Sequence, residues 1–119
     1  MIKDIGIDTV YLPRFADKVE NQVFIEKILG HNELEIFYAI TDPSKKIEFL
    51  ASRFSVKEAV FKALSEEEYS LTYHNVQVLY KDSKKPFIQT SFEMKGTLLV
   101  SISHDGDYVI TQVVYKTTV

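Results

Sequence analysis

The sequence has no cysteine and no tryptophan, only three prolines and four glycines, and no apolar run long enough to cross a bilayer. Without cysteine, disulfide staples and thiolate metal sites are excluded, so core packing must hold the fold. Scarce proline and glycine beside 45% hydrophobic residues exclude a disordered or low-complexity chain. The net charge of −3 provides no global attraction for nucleic acid, so an anionic ligand must be met by local lysines or a metal. No Walker A loop, no GxGxxG after a strand and no HExxH motif is present. Met1-Ile2-Lys3-Asp4 carries an acid where a secretory leader needs a basic and then apolar run. The expectation is one domain, residues 1–119, in the cytoplasm, with neither membrane nor nucleic acid as partner. What the chain does have is aromatics, seven Tyr and eight Phe. They serve either a phenylalanine-rich core or a subunit interface.

Residues 2–10 alternate as a strand, with Ile5, Ile7 and Thr9 on one face and Gly6 and Asp8 on the other. Glycine inside a strand is costly unless something approaches the backbone closely. Pro13 opens a helical segment to about Leu29, with Phe15, Val19, Val23 and Ile28 as its apolar stripe and Gly30 as C-cap. A short helix from Asn32 to Ile40 follows, with Leu34, Phe37 and Tyr38 on one side. Asp42-Pro43 is an N-cap acid with proline at the first helical position, and Ile47, Leu50, Phe54, Phe61 and Leu64 carry that helix to about Ser65. Glu66-Glu67-Glu68 reads as an exposed loop. Strands follow at residues 75–80, 87–90, 97–103 and 108–115, the last two joined through Asp105-Gly106, a strong hairpin signal. The class is α+β, an antiparallel sheet packed against a long helix.

Three short segments carry chemistry. Glu58 and Lys62 lie one helical turn apart, either as a solvent ion pair or as part of an enclosed site. Phe54, Phe61 and Ala63 make that helix apolar on more than one side, which favours enclosure. Asp8 ends the first strand, as a turn former or as a metal ligand. Mg²⁺ is typically held by one or two carboxylates plus substrate phosphates, a requirement Asp8 and Glu58 would meet. His104 sits at the hairpin rim, either solvated or, as a candidate catalytic residue, donating to a diphosphate or helping to move a proton. Lys45-Lys46 and Lys81, Lys84 and Lys85 read as solvated unless a phosphate ligand is implied independently. His31 and His74 receive no role.

Gly6-x-Asp8, Arg53-Phe54-x-x-Lys57-Glu58-Ala59-x-x-Lys62-Ala63 and Ser101-x-Ser103-His104 together resemble the holo-[acyl-carrier-protein] synthases, the small bacterial 4′-phosphopantetheinyl transferases. The resemblance implies transfer of the phosphopantetheine arm of coenzyme A to a serine of an apo acyl-carrier protein, releasing adenosine 3′,5′-bisphosphate, in lipid metabolism. It implies Mg²⁺ as cofactor and a homotrimer with sites at the subunit boundaries. By position, Asp8 and Glu58 would hold the metal, Lys62 would neutralise the diphosphate or the charge developing on its leaving oxygen, and Glu58, directly or through a metal-bound water, would serve as base for the serine proton. Lys45, Arg53, Lys85, Pro86 and His104 of a neighbouring subunit would line the nucleotide. Three features depart from that family's pattern. Leu64-Ser65-Glu66-Glu67-Glu68 replaces a Gly-Thr-Gly loop, Ser83-Lys84 replaces Asn-Gly before Lys85-Pro86, and the segment from Pro13 to Leu29 is formally neutral rather than basic. The alternative from another class is a non-catalytic homologue that binds a carrier domain or partner protein. An unrelated Mg²⁺-dependent phosphohydrolase is a third.

Overall fold

Everything in the molecule is arranged around one helix. The computed structural model describes residues 1–118. Strand β1 (Ile2–Tyr11) leads through two short 3₁₀ turns to helix α1 (Gln22–Ile28), helix α2 (His31–Ala39) and the 21-residue helix α3 (Pro43–Ala63). A 3₁₀ turn at Tyr73–Asn75 introduces strand β2 (Val76–Tyr80), which is followed by β3 (Pro86–Thr90), β4 (Thr97–Asp105) and β5 (Tyr108–Lys116). The strands form two antiparallel sheets, one of order β1-β5-β4 and a two-stranded β2-β3. Helix α3 lies across the three-stranded sheet.

The Asp42 side chain accepts from Ser44 N at 2.9 Å and Pro43 occupies the first turn, so α3 starts where the sequence signals it. Its buried residues, from Phe49 to Ala63, run round most of the circumference, because sheet, turn and shorter helices all pack on it. The helix ends at Ala63, two residues earlier than expected, though Leu64 stays in the core.

Strand β1 alternates as expected, but it inverts the usual polarity. Gly6, Asp8 and Val10 face α3, while Ile5 and Ile7 are 54% and 56% exposed on the outer face. The cause is close contact. A Cβ on Gly6 would lie 1.9 Å from the carbonyl oxygen of Ala59, so only glycine lets β1 meet the helix backbone there.

The expected helix from Pro13 to Leu29 is broken. Asn21 is extended (φ −95°, ψ 99°), and its side chain caps α1 by accepting from Phe24 N at 3.1 Å. That restart rotates the stripe. Phe15, Ile25, Ile28 and Leu29 are buried, and Val23 is 78% exposed. Gly30 (φ −79°) is the N-cap of α2 rather than a C-cap, its amide donating to Glu33 Oε1 at 2.9 Å. Glu33 itself is completely buried, and Tyr38 lies outside the core. The last hairpin turns on Gly106-Asp107, one residue later than expected, since Asp105 still pairs with Tyr108. Gly106, with φ 59°, fills the first loop position, where a type II′ turn requires glycine.

Candidate active site

Asp8 is delivered by the Gly6 contact. Two residues beyond the place where β1 touches α3, its carboxylate meets the helix side chains. Ser55 Oγ donates to Asp8 Oδ2 at 2.9 Å and lies 2.9 Å from Thr111 Oγ1 on β5, which pairs across from Asp8. Lys62 Nζ lies 3.4 Å from Asp8 Oδ1 and donates to Ile7 O at 2.8 Å. Ser55, Glu58 and Lys62 are spaced i, i+3 and i+7, so they share one face of α3, and Asp8 touches the two that flank Glu58. Glu58 is half-buried, and the Tyr73 hydroxyl donates to its Oε1 at 2.6 Å. Burial first, then the bond to Glu58, push the Tyr73 phenol up to about 12, with the Asp8 charge adding to the effect. Asp8, Glu58 and Lys62 therefore form one cluster at the β1–α3 contact. Ser55, Thr111 and Tyr73 belong to it too, and no sequence pattern marks them, because hydroxyls on three separate elements carry no shared spacing.

No group of three or more His, Cys, Asp or Glu is placed to hold a metal among the described residues. Two carboxylates beside a lysine fit a cation that takes its other ligands from water and substrate phosphates, as Mg²⁺ does.

Beside Glu58, Lys57 is wholly buried. Its ammonium donates to Glu33 Oε1 (2.5 Å), Ile28 O (2.6 Å) and Tyr73 O (2.9 Å), which uses all three protons. Desolvation lowers its pKa from the usual lysine value, against the pull of Glu33. Glu33 also accepts from Val78 N at 2.8 Å, tying α2, α3 and β2 together.

The remaining candidates gather elsewhere. Lys45, Arg53 and His104 line a separate cavity of about 260 Å³ with Glu48, Phe49 and Tyr80. The Arg53 guanidinium lies 3.8 Å from the centre of the Phe49 ring and 5.0 Å from that of Tyr80, its Nε buried without a partner, and burial lowers its pKa. His104 Nε2 is 3.4 Å from Glu48 Oε1. Pro86 pairs with Tyr80 across the small sheet, so Lys85-Pro86 stands at the edge of this cavity. His104 on β4 is separated from β1 by β5, which puts it about 10 Å or more from Asp8. Within one chain, then, His104 does not join Asp8, Glu58 and Lys62. In the expected acidic loop, Glu67 is not free: it pairs with Lys3 at 2.8 Å and is mostly buried.

This fold and cluster define a class: the family model of the 4′-phosphopantetheinyl transferase superfamily matches residues 4–113. The holo-[acyl-carrier-protein] synthase of Geobacillus sp. (strain WCH70) is 39% identical over 118 residues, covering 98% of each chain. The chain belongs to the holo-[acyl-carrier-protein] synthase family of 4′-phosphopantetheinyl transferases. A second relative of that description, from Anoxybacillus flavithermus, is 40% identical over 118 residues, 98% of this chain and 97% of its own. The crystal structure of the synthase from Bacillus anthracis, in complex with CoA (3′,5′-ADP), superposes with a TM-score of 0.85 at 31% identity over 99% of both chains. The Helicobacter pylori synthase in complex with coenzyme A gives 0.77 at 28% identity, covering 94% of this chain and 99% of that one.

Proposed function

We propose that this protein transfers 4′-phosphopantetheine from coenzyme A to a serine of an apo acyl-carrier protein, with Mg²⁺ held by Asp8 and Glu58. The observation that carries the reading is the cluster of Asp8, Glu58 and Lys62 at the Gly6 contact, in a chain matched to the family over nearly its whole length. The bound cation would orient the diphosphate and offset its charge. The serine oxygen gives its proton to Glu58 and attacks the pantetheine-side phosphorus, and the bond to the bridging oxygen breaks, releasing adenosine 3′,5′-bisphosphate. Lys62, about half exposed and held by Ile7 O and Asp8, is free to swing onto that departing oxygen, where charge develops. The intact cluster supports catalysis over a purely binding role.

The separation of the Asp8–Glu58–Lys62 cluster from the cavity lined by Lys45, Arg53 and His104 supports a shared site. Lys45, Arg53, Lys85, Pro86 and His104 serve the nucleotide of a neighbouring copy rather than their own. Ile5, Ile7, Leu99 and Ile110 give the outer face of the three-stranded sheet an exposed apolar surface on which copies associate as a trimer. The decisive experiment is the intact mass of an apo acyl-carrier protein after incubation with this protein, coenzyme A and Mg²⁺. A gain of one phosphopantetheine arm, lost with chelator, supports the reading. Cleavage of coenzyme A with no carrier present would make it a phosphohydrolase instead.

A further inference from the structure

Tyr73 is gripped along its whole length. Its carbonyl accepts from Lys57 Nζ at 2.9 Å, its ring stacks on Phe54 (5.7 Å, 18°) and leans on Phe61 (4.9 Å), and its hydroxyl donates to Glu58 Oε1 at 2.6 Å. The 3₁₀ turn that carries it is fastened as well, with Asn75 accepting from Thr72 N and donating to Ser70 O, both at 3.1 Å. Lys57 and Glu58 are consecutive on α3, so Tyr73 accepts a hydrogen bond from the first and donates one to the second. Behind Lys57 stands Glu33, buried and fixed by Gly30 N and Val78 N. A glutamate on a helix otherwise samples several rotamers, and a hydrogen bond to one oxygen removes most of that freedom.

We propose that Tyr73 is a positioning residue for Glu58, clamping Oε1 so that Oε2 is presented to the cation, with the buried Lys57–Glu33 pair holding Tyr73 in place. This rests on the reading of Glu58 as a metal ligand. Groups that orient a metal ligand from behind typically govern affinity by 10–100-fold.

The test is Tyr73→Phe in the full chain, which keeps the ring contacts and the Lys57 bond and removes only the hydroxyl. Mn²⁺ alone, followed by electron paramagnetic resonance, is the probe, beside the Mg²⁺ dependence of transfer. The expected result is roughly ten-fold weaker Mn²⁺ binding and a matching rise in the Mg²⁺ needed for half-maximal rate. At saturating Mg²⁺ kcat returns to that of the wild type, and the melting temperature stays within about 5 °C of it. Unchanged Mn²⁺ affinity in Tyr73→Phe, with affinity lost in Glu58→Gln, overturns the positioning role and leaves the metal site standing. If Glu58→Gln also binds Mn²⁺ like the wild type, the metal reading fails and the positioning role falls with it.

Discussion

Two adjacent side chains on α3, Lys57 and Glu58, divide structure from chemistry. Glu58 is reachable and Lys57 is not. Glu58→Gln and Asp8→Asn are expected to cut transfer by about 100-fold or more while leaving the melting curve in place, because each removes charge from a cluster that packing does not depend on. Near-normal rates at saturating Mg²⁺ would refute the metal assignment. Lys57→Met should act the other way round. It strands the Glu33 carboxylate in the core and should cost about 3–5 kcal/mol in denaturant unfolding. Adding Glu33→Gln should recover part of that loss, since an amide oxygen can still accept from Val78 N; simple additivity in the double-mutant cycle would argue against the pair. Tyr73 supplies a pH signature. Its folded value of about 12 lies above its usual 10.0, so its contribution to stability is whole below pH 10 and disappears as pH rises toward 12. Wild-type melting temperature should therefore fall more steeply across that window than that of Tyr73→Phe.

Among the elements, the contact of β1 with α3 does most to build the site. Gly6→Ala would drive a methyl into the Ala59 carbonyl and push Asp8 away from Ser55 and Lys62. Overpacking of this kind typically costs about 1–3 kcal/mol, and because backbone is the obstacle the upper end is expected, with transfer lost alongside stability. A chain of unaltered thermal stability would show that the strand can slide. The start of α3 and the strands β2 to β5 were readable because caps, proline and alternation are local signals. The segment from Pro13 to Leu29 was not. Its apolar residues are spaced acceptably for one helix, yet Asn21 gains a cap by breaking it, and only the core decides which face is buried. The same holds for Gly30, whose added Cβ would run into the Gln77 side chain; Gln77 Oε1 accepts from Asn32 N at 2.9 Å from the far side of the chain.

For the molecule as a whole, the proposed sharing of sites rests on the separation of two groups of side chains. One chain gathers Asp8, Glu58 and Lys62 at the β1–α3 contact and keeps Lys45, Arg53 and His104 around a separate cavity. If copies share sites, a mixture of Glu58→Gln and His104→Ala chains, each inactive alone, should regain activity after exchange of subunits. Sites that combine the two intact halves would account for it. Failure to complement, with exchange demonstrated, would sink the shared site. Ile7→Glu on the outer sheet face is expected to convert a trimer to a monomer by sedimentation and to abolish transfer, with the isolated chain still folded. A wild-type monomer would remove the model.

The order of residues determined the α+β class and the extent of the long helix to within a turn, and it marked Asp8, Glu58 and Lys62 as candidates. Those follow from periodicity, capping chemistry and motif spacing, all of which are written along the chain. Only the tertiary structure decided that the glycine–aspartate face of β1 turns inward. It also set the strands in two sheets and placed His104 across the sheet from Asp8. Ser55, Thr111 and Tyr73 entered the cluster for the same reason. A buried polar group needs a partner wherever the fold can bring one, and residues 47 or 103 positions apart become neighbours only when β1, α3 and β5 close on each other.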